Sequence, residues 1–125
     1  MVATELVETG RVIEKGFVSP DRTLLIASTH RIYSLAEKMA MGDGRYDGDR
    51  IMAAAKQMAK KSLLFDMEKA AADSGSVVNS VILGAIAGTG LLPIARETFA
   101  ACIEEEGIAV KANLAGFQTG LAYAK

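Results

Sequence analysis

The stretch LLIASTHRIYSLAEKMAMGDGR, residues 24–45, runs from an apolar segment directly into His30, the single histidine of the chain. Its first part lies in TLLIAST, residues 23–29, which is apolar, β-branched and too short for a helix, and so predicts a buried strand. The following RIYSLAEKMAM fits either a strand or a helix, and both interpretations stay open. The glycines of GDG at 42–44 predict a tight turn with positive φ.

Helices are predicted on both sides of this strand. Before it, apolar residues at helical spacing predict a helix over residues 3–15 that is closed by Gly16, and VSPDRT then forms a turn. After it, GDGRYDGDR at 42–50 predicts a polar loop in which Asp47 or Asp49 caps a helix running to Lys60 or Lys61. The segment SLLFDM at 62–67 predicts a second short strand.

The second half of the chain predicts four helices. They are a short helix in EKAAADSG stopped by Gly75, an apolar helix over 77–87, a helix opened by Pro93 and ended by Gly107, and a last helix over 110–124. Strands that alternate with helices predict an α/β layered domain, and 125 residues suit one domain. Two strands are too few for an independent sheet. We therefore expect an incomplete domain, whose missing strands come from another chain or from a preceding part of a larger domain.

Composition excludes several classes of protein. The chain has 14 basic and 15 acidic residues, and this balance does not favour nucleic acid as a partner. A single cysteine, Cys102, excludes an internal disulfide and a CxxC zinc site, and it is expected to be a small buried residue on a helix. This cysteine usage fits a reducing compartment, and no secretory signal opens the chain. The cytoplasm is therefore the expected location.

The uncharged segment at 77–95 is almost long enough to span a membrane. Its Gly-Thr-Gly sequence and Pro93 would interrupt such a span, so a buried core helix is the preferred interpretation. Gly84 and Gly88 lie four residues apart on one face of that helix. This spacing predicts a close approach by a neighbouring backbone.

The best candidates for a functional contact surround His30. His30 and Arg31 follow a buried strand, and α/β sheets bind ligands at the carboxyl ends of their strands. Arg31 could clamp a carboxylate or phosphate, while Lys38, Asp43 and Arg45 give the following loop a mixed charge. A hydrogen-bonded structural histidine, a ligand or interface contact, and a catalytic base all remain open for His30. The sequence has no GxGxxG, CxxC, GxSxG or paired-carboxylate motif, so no catalytic, cofactor-binding or metal-ligating residue is predicted.

Three segments resemble a known family. GFVSPDRTLLIASTHRIYSLAEKMAMGDGRYD, residues 16–47, is similar to the gamma-type subunit of 2-oxoacid:ferredoxin oxidoreductases, and closest to the indolepyruvate oxidoreductase beta-subunit branch. SVVNSVILGAIAGTGLLP resembles the family's Asn-containing, Leu-Gly-Ala helix. ANLAGFQTG resembles its closing Asn-x-x-Ala-Phe-x-x-Gly pattern, with Gly116 where alanine is usual. Together these similarities cover nearly the whole chain.

The resemblance implies a Rossmann-like, three-layer α/β domain, of which this chain is the helix-rich C-terminal part. It also implies oxidative decarboxylation of aryl pyruvates to acyl-CoA, with electrons passed to ferredoxin. The thiamine diphosphate and iron–sulfur clusters would lie on a partner subunit, so the isolated chain is expected to be inactive. The expected partners are that thiamine-diphosphate subunit, ferredoxin through the complex, and further copies of this chain.

The chain departs from the family at its beginning. Family subunits open with a strand and a Gly-x-Gly-Gly-Gln-Gly type segment, which this sequence lacks. Any ligand role of that segment would therefore fall outside this chain. The alternative function is a non-catalytic interaction module or oligomeric scaffold that keeps the same fold.

Overall fold

The computed structural model describes residues 1–30 and 43–124, with the backbone alone for residues 43–47. The chain forms two compact units, Met1–Phe65 and Asp66–Lys125. The first unit contains β1 (Val2–Ala3), α1 (Leu6–Glu14), β2 (Leu24–Ser28), α2 (Asp43–Met58) and β3 (Lys61–Phe65). The second contains α3 (Met67–Ser74), α4 (Val78–Thr89), α5 (Arg96–Glu106) and α6 (Val110–Tyr123). The α/β fold class is confirmed.

The sheet of the first unit is parallel and has the strand order β1-β2-β3. Leu24 pairs with Lys61 and Ser28 with Phe65, which confirms both predicted strands. A third strand is added at the edge, where Ala3 pairs with Ala27. The prediction that Ala3 starts a helix was wrong, because α1 begins only at Leu6. Two strand residues are too few to show alternation, and the apolar residues around them continue the helical spacing.

Small and aliphatic side chains form the core of this unit. Leu25 and Ala27 are fully buried in β2, and they belong to a cluster with Ala3, Val18, Ala55 and Ala59. The cluster draws on β1, β2 and α2, so burial of the sheet's apolar residues stabilises the unit.

The polar loop predicted at 42–50 is largely helical. Helix α2 begins at Asp43 and ends at Met58, whereas the sequence predicted a start near Asp47 or Asp49 and an end at Lys60 or Lys61. A Cβ atom added at Gly48 would lie 3.1 Å from Leu6 Cδ2, so the helix approaches α1 closely there. Packing thus overrides the low helix propensity of glycine. The ambiguous segment 31–41 and Gly42 lie outside the described residues.

The predicted VSPDRT turn is stabilised by its own side chains. Ser19 N donates to Thr23 Oγ1 at 2.9 Å, and Arg22 N donates to Ser19 Oγ at 3.2 Å. The Ser19 hydroxyl donates to the Asp21 carboxylate. This bond, with a smaller contribution from the Asp21 backbone, lowers the pKa of Asp21 below its ordinary value.

Ser19→Ala is therefore expected to raise the pKa of Asp21 towards its ordinary value. Because the folded-state pKa is lowered, the turn gains stability above the unfolded-state pKa and loses it as the pH falls through the folded-state pKa. NMR titration of the Asp21 carboxyl carbon in both proteins measures the change. An unchanged midpoint would show that the hydroxyl does not set this pKa.

The second unit is built around two glycine-bearing helices. A Cβ atom at Gly84 of α4 would overlap the Phe117 carbonyl oxygen and lie 2.8 Å from the Phe117 carbonyl carbon. A Cβ atom at Gly120 of α6 would overlap the Val81 carbonyl oxygen. At Gly88, it would lie 2.5 Å from Ala124 Cβ and 3.3 Å from the Leu121 carbonyl oxygen. The predicted close approach at Gly84 and Gly88 is confirmed.

The space at Gly116, where the resembling family has alanine, is also filled. A Cβ atom there would overlap Ser76 Oγ and lie 2.9 Å from Ser80 Cβ. Two serine side chains therefore occupy the volume that an alanine methyl group would need. Glycine at this position allows α6 to pack against them.

The ends of the helices follow the predicted stop signals except at α4, which runs through Gly88 to Thr89 instead of ending at Ala87. Asp66 accepts a hydrogen bond from Lys69 N at 3.0 Å and caps the start of α3. Gly75, Gly90 and Gly107 end α3, α4 and α5 in the left-handed conformation that favours glycine. Helix α5 begins at Arg96, so the prediction of a start at Pro93 was wrong. Proline disfavours helical backbone at the residue before it but does not require a helix after it.

Cys102 is exposed, which contradicts the predicted buried position. Helix α5 has no buried residue, and its apolar contacts with the core are made by Phe99 and Ile103.

Across the described part of the chain, no single helix has the length and apolarity to cross a membrane. Helices α3 and α4 meet these criteria only as a pair, and they are bent by 107°.

Candidate functional site

The carboxyl edge of the sheet holds the first candidate site. Thr29 N donates to the Phe65 carbonyl at 2.9 Å, which ties the end of β2 to the end of β3. His30 N donates to Ser28 Oγ at 3.1 Å, and Leu6 N donates to the His30 carbonyl at 2.9 Å. His30 is half-buried at this position. Its backbone is therefore held by β2 and by the first turn of α1.

The other predicted contact residues are distributed differently from the sequence-based expectation. Arg31 and Lys38 lie outside the described residues. Asp43 and Arg45 belong to the first turn of α2, which replaces the expected Gly-Asp-Gly turn. The contact role of all five residues stays a prediction.

A pocket of about 420 Å³ lies in the second unit. Its apolar lining comes from Leu83 of α4 and from Phe99 and Ile103 of α5. The Phe99 and Phe117 ring centroids are 6.0 Å apart, which anchors this wall to the helical core. The remaining lining residues are polar or contain sulfur: Asn79, Ser80, Cys102, Glu106 and Asn113.

A hydrogen-bonded pair fixes the polar end of this pocket. Ser80 Oγ donates to Asn113 Oδ1 at 2.8 Å, and Asn113 Nδ2 donates to the Ile108 carbonyl at 2.9 Å. Ser80 is only 9% exposed, so its hydroxyl is positioned by α4 rather than by solvent. Asn113 thereby joins α4, α6 and the connection that follows α5.

Sequence reasoning missed this pocket as a site. Ser80 and Asn113 are 33 positions apart, and no motif contains both of them. The available signal was Asn113, the second residue of ANLAGFQTG, in the segment that resembles the family's closing pattern. That resemblance gave no indication that Asn113 contacts a serine of another helix.

The described residues contain no group of three or more His, Cys, Asp or Glu side chains that could hold a metal ion. Comparison of the chain with protein-family models, with curated proteins and with solved structures finds no match.

Proposed function

We propose that the chain is an assembly subunit, or part of one, of an indolepyruvate-type 2-oxoacid:ferredoxin oxidoreductase. The complex would convert an aryl pyruvate and CoA to acyl-CoA and CO₂, with ferredoxin as the electron acceptor. A partner subunit would carry thiamine diphosphate and the iron–sulfur clusters. We place this complex in the cytoplasm, with more than one copy of the chain.

The observation that carries the proposal is the segment 16–47, which resembles one family over a continuous stretch. The described part of this segment combines a hydrogen-bonded turn, the buried strand β2 and the fixed backbone at His30. The parallel sheet with helices also agrees with the α/β domain that the resemblance implies. The first residues after β2 are thus held in place at an edge where α/β proteins make ligand and partner contacts.

The residues of this chain suit an assembly role better than a cofactor role. A Cys₄ iron–sulfur cluster needs four thiolates, whereas the sequence has only Cys102. When bound by the partner, thiamine diphosphate would supply the decarboxylation chemistry. The contribution of this chain would be a contact surface at the end of β2, with His30 and Arg31 as the predicted contact residues.

Substitutions at the sheet edge test this assembly role. His30→Ala and Arg31→Ala are expected to weaken binding to the thiamine-diphosphate subunit, with the larger loss for Arg31, since a guanidinium can lose two charge-assisted hydrogen bonds. The isolated fold should stay intact, because the bonds of His30 to Ser28 and Leu6 use backbone atoms that alanine retains. Pull-down experiments and thermal melts of both variants measure the two properties separately.

Arg11→Ala is the matched control, since Arg11 is an exposed arginine on α1 that pairs with Glu8 at 2.7 Å. This variant should bind the partner like the parent chain. Unfolding of His30→Ala at ordinary temperature, with normal assembly of Arg31→Ala, would reject the contact role. A stable natural partner without thiamine diphosphate would instead favour the interaction-module alternative.

A further inference from the structure

The pocket of the second unit is an open depression with the volume of a small-molecule site. Its volume of about 420 Å³ lies within the range of known ligand pockets. Leu83, Phe99 and Ile103 give it an apolar wall, and the hydrogen-bonded Ser80–Asn113 pair keeps its polar end in place. An apolar wall with a few fixed polar groups is the usual pattern of such sites.

The charge at this pocket favours a cation. Glu106 lines it and has no ion-pair partner among the side chains that the structure describes. Glu106 is also the last residue of α5, where the helix dipole is negative. Residues 66–125 include seven acidic and four basic residues, so the wider field has the same sign.

We propose that this pocket binds a small organic amine, in which an ammonium group is carried on an apolar stem about the size of one ring. The stem would pack against Leu83, Phe99 and Ile103, and the ammonium would lie near Glu106. Phe99 adds an aromatic surface, which favours a nearby cation. A 2-oxoacid anion would meet Glu106 and the negative end of α5, so this site differs from any substrate site of the proposed oxidoreductase.

Two probes with the same phenylethyl stem and opposite charge test the proposal on the full chain. We expect 2-phenylethylammonium to bind with a Kd on the order of 1 mM, since it has few atoms with which to gain affinity. The amide NMR signals of Ser80, Leu83, Ile103 and Asn113 should shift during the titration. We expect 3-phenylpropionate to bind at least about fivefold more weakly, because its carboxylate faces Glu106.

Glu106→Gln should weaken binding of the ammonium probe about threefold to fivefold. It should also reduce the difference in affinity between the ammonium probe and the carboxylate probe. Glu105→Gln is the matched control, because it removes the same charge from the same helix at a residue that does not line the pocket. Cys102→Trp should abolish binding by filling the pocket from an exposed position, while Cys102→Ser should preserve it. The spectrum of each free variant reports whether its fold is intact.

Equal affinity for the two probes would overturn the proposal, as would shifts confined to residues far from the pocket. If Glu105→Gln and Glu106→Gln lowered the affinity for the ammonium probe equally, the effect would come from the general negative charge of this region and not from Glu106 in the pocket. That result would also overturn the proposal. If Cys102→Trp alters the fold, the comparison of the two glutamate variants decides the question. The result is independent of the oxidoreductase proposal, which is tested by partner binding.

Discussion

Replacing Gly84 by alanine is expected to destabilise the second unit by about 3 kcal/mol or more, since overpacking against an immobile neighbour lies at the upper end of such costs. The new methyl group would overlap the Phe117 carbonyl oxygen, and that oxygen belongs to a helix backbone. A backbone cannot move aside as a side chain can, so α4 and α6 would have to separate. Typical proteins are stable by only about 5–15 kcal/mol, so the loss would be a large fraction of the total.

Gly10→Ala provides the control for this prediction. Gly10 also lies within a helix, but an added Cβ atom would lie 3.2 Å from Ile51 Cδ1, the end of a flexible side chain. The gain in helix propensity, about 1 kcal/mol, should offset much of that contact. Urea unfolding of the full chain, followed by amide NMR signals of α1, α4 and α6, measures both variants. Parent-like stability of Gly84→Ala would refute the close approach of α4 and α6.

Phe117→Ala is expected to cost about 3–5 kcal/mol, the usual range for removing a buried aromatic side chain. Phe117 is 1% exposed and forms a cluster with Ala87 and Leu121. Its loss would leave a cavity between helices whose glycine contacts limit further collapse. The same urea experiment measures this loss.

Phe99→Ala is the matched control, because Phe99 is the other member of the aromatic pair but is only partly buried. Phe99→Ala should lower the free energy of unfolding clearly less than Phe117→Ala, since less of the Phe99 surface leaves water on folding. If the two variants were equally destabilised, Phe117 would not be the centre of this cluster.

The strands β2 and β3 and the helix α6 could be predicted because their sequence signals are local. TLLIAST and SLLFDM are short apolar runs, and parallel strands covered on both faces have this pattern. The sequence did not reveal β1, whose two residues pair with Ile26 and Ala27 at a distance in the chain. A strand that short is specified by its partner rather than by its own composition.

The start of α2 was missed for a different reason. Glycine and aspartate at 42–49 have the composition of a loop, and their low helix propensity favours that interpretation. The structure places Gly48 against Leu6, so packing with α1 determines the conformation. Packing also overrides the expectation from residue type at Cys102. Cysteine is usually buried, but this one is exposed, because its helix contacts the core through Phe99 and Ile103.

The candidate sites could be predicted only in part. A histidine that follows a buried strand can be recognised from sequence, but its bonds to Ser28 and Leu6 depend on the fold. The pocket could not be predicted, since Ser80, Glu106 and Asn113 come from three helices and share no motif. The role of Gly116 could be predicted in part. Its departure from the family pattern was visible in the sequence, but the two serines that fill the space beside it were not.

We propose that this chain completes a 2-oxoacid oxidoreductase whose cofactors lie on another subunit. The direct measurement is indolepyruvate-dependent and CoA-dependent reduction of a viologen dye by the thiamine-diphosphate subunit, assayed with and without the full chain. We expect no activity for the chain alone and a large increase in the activity of the subunit when the chain is added, with thiamine diphosphate bound in the isolated complex. Activity of the chain by itself, or equal activity of the subunit with and without the chain, would contradict it.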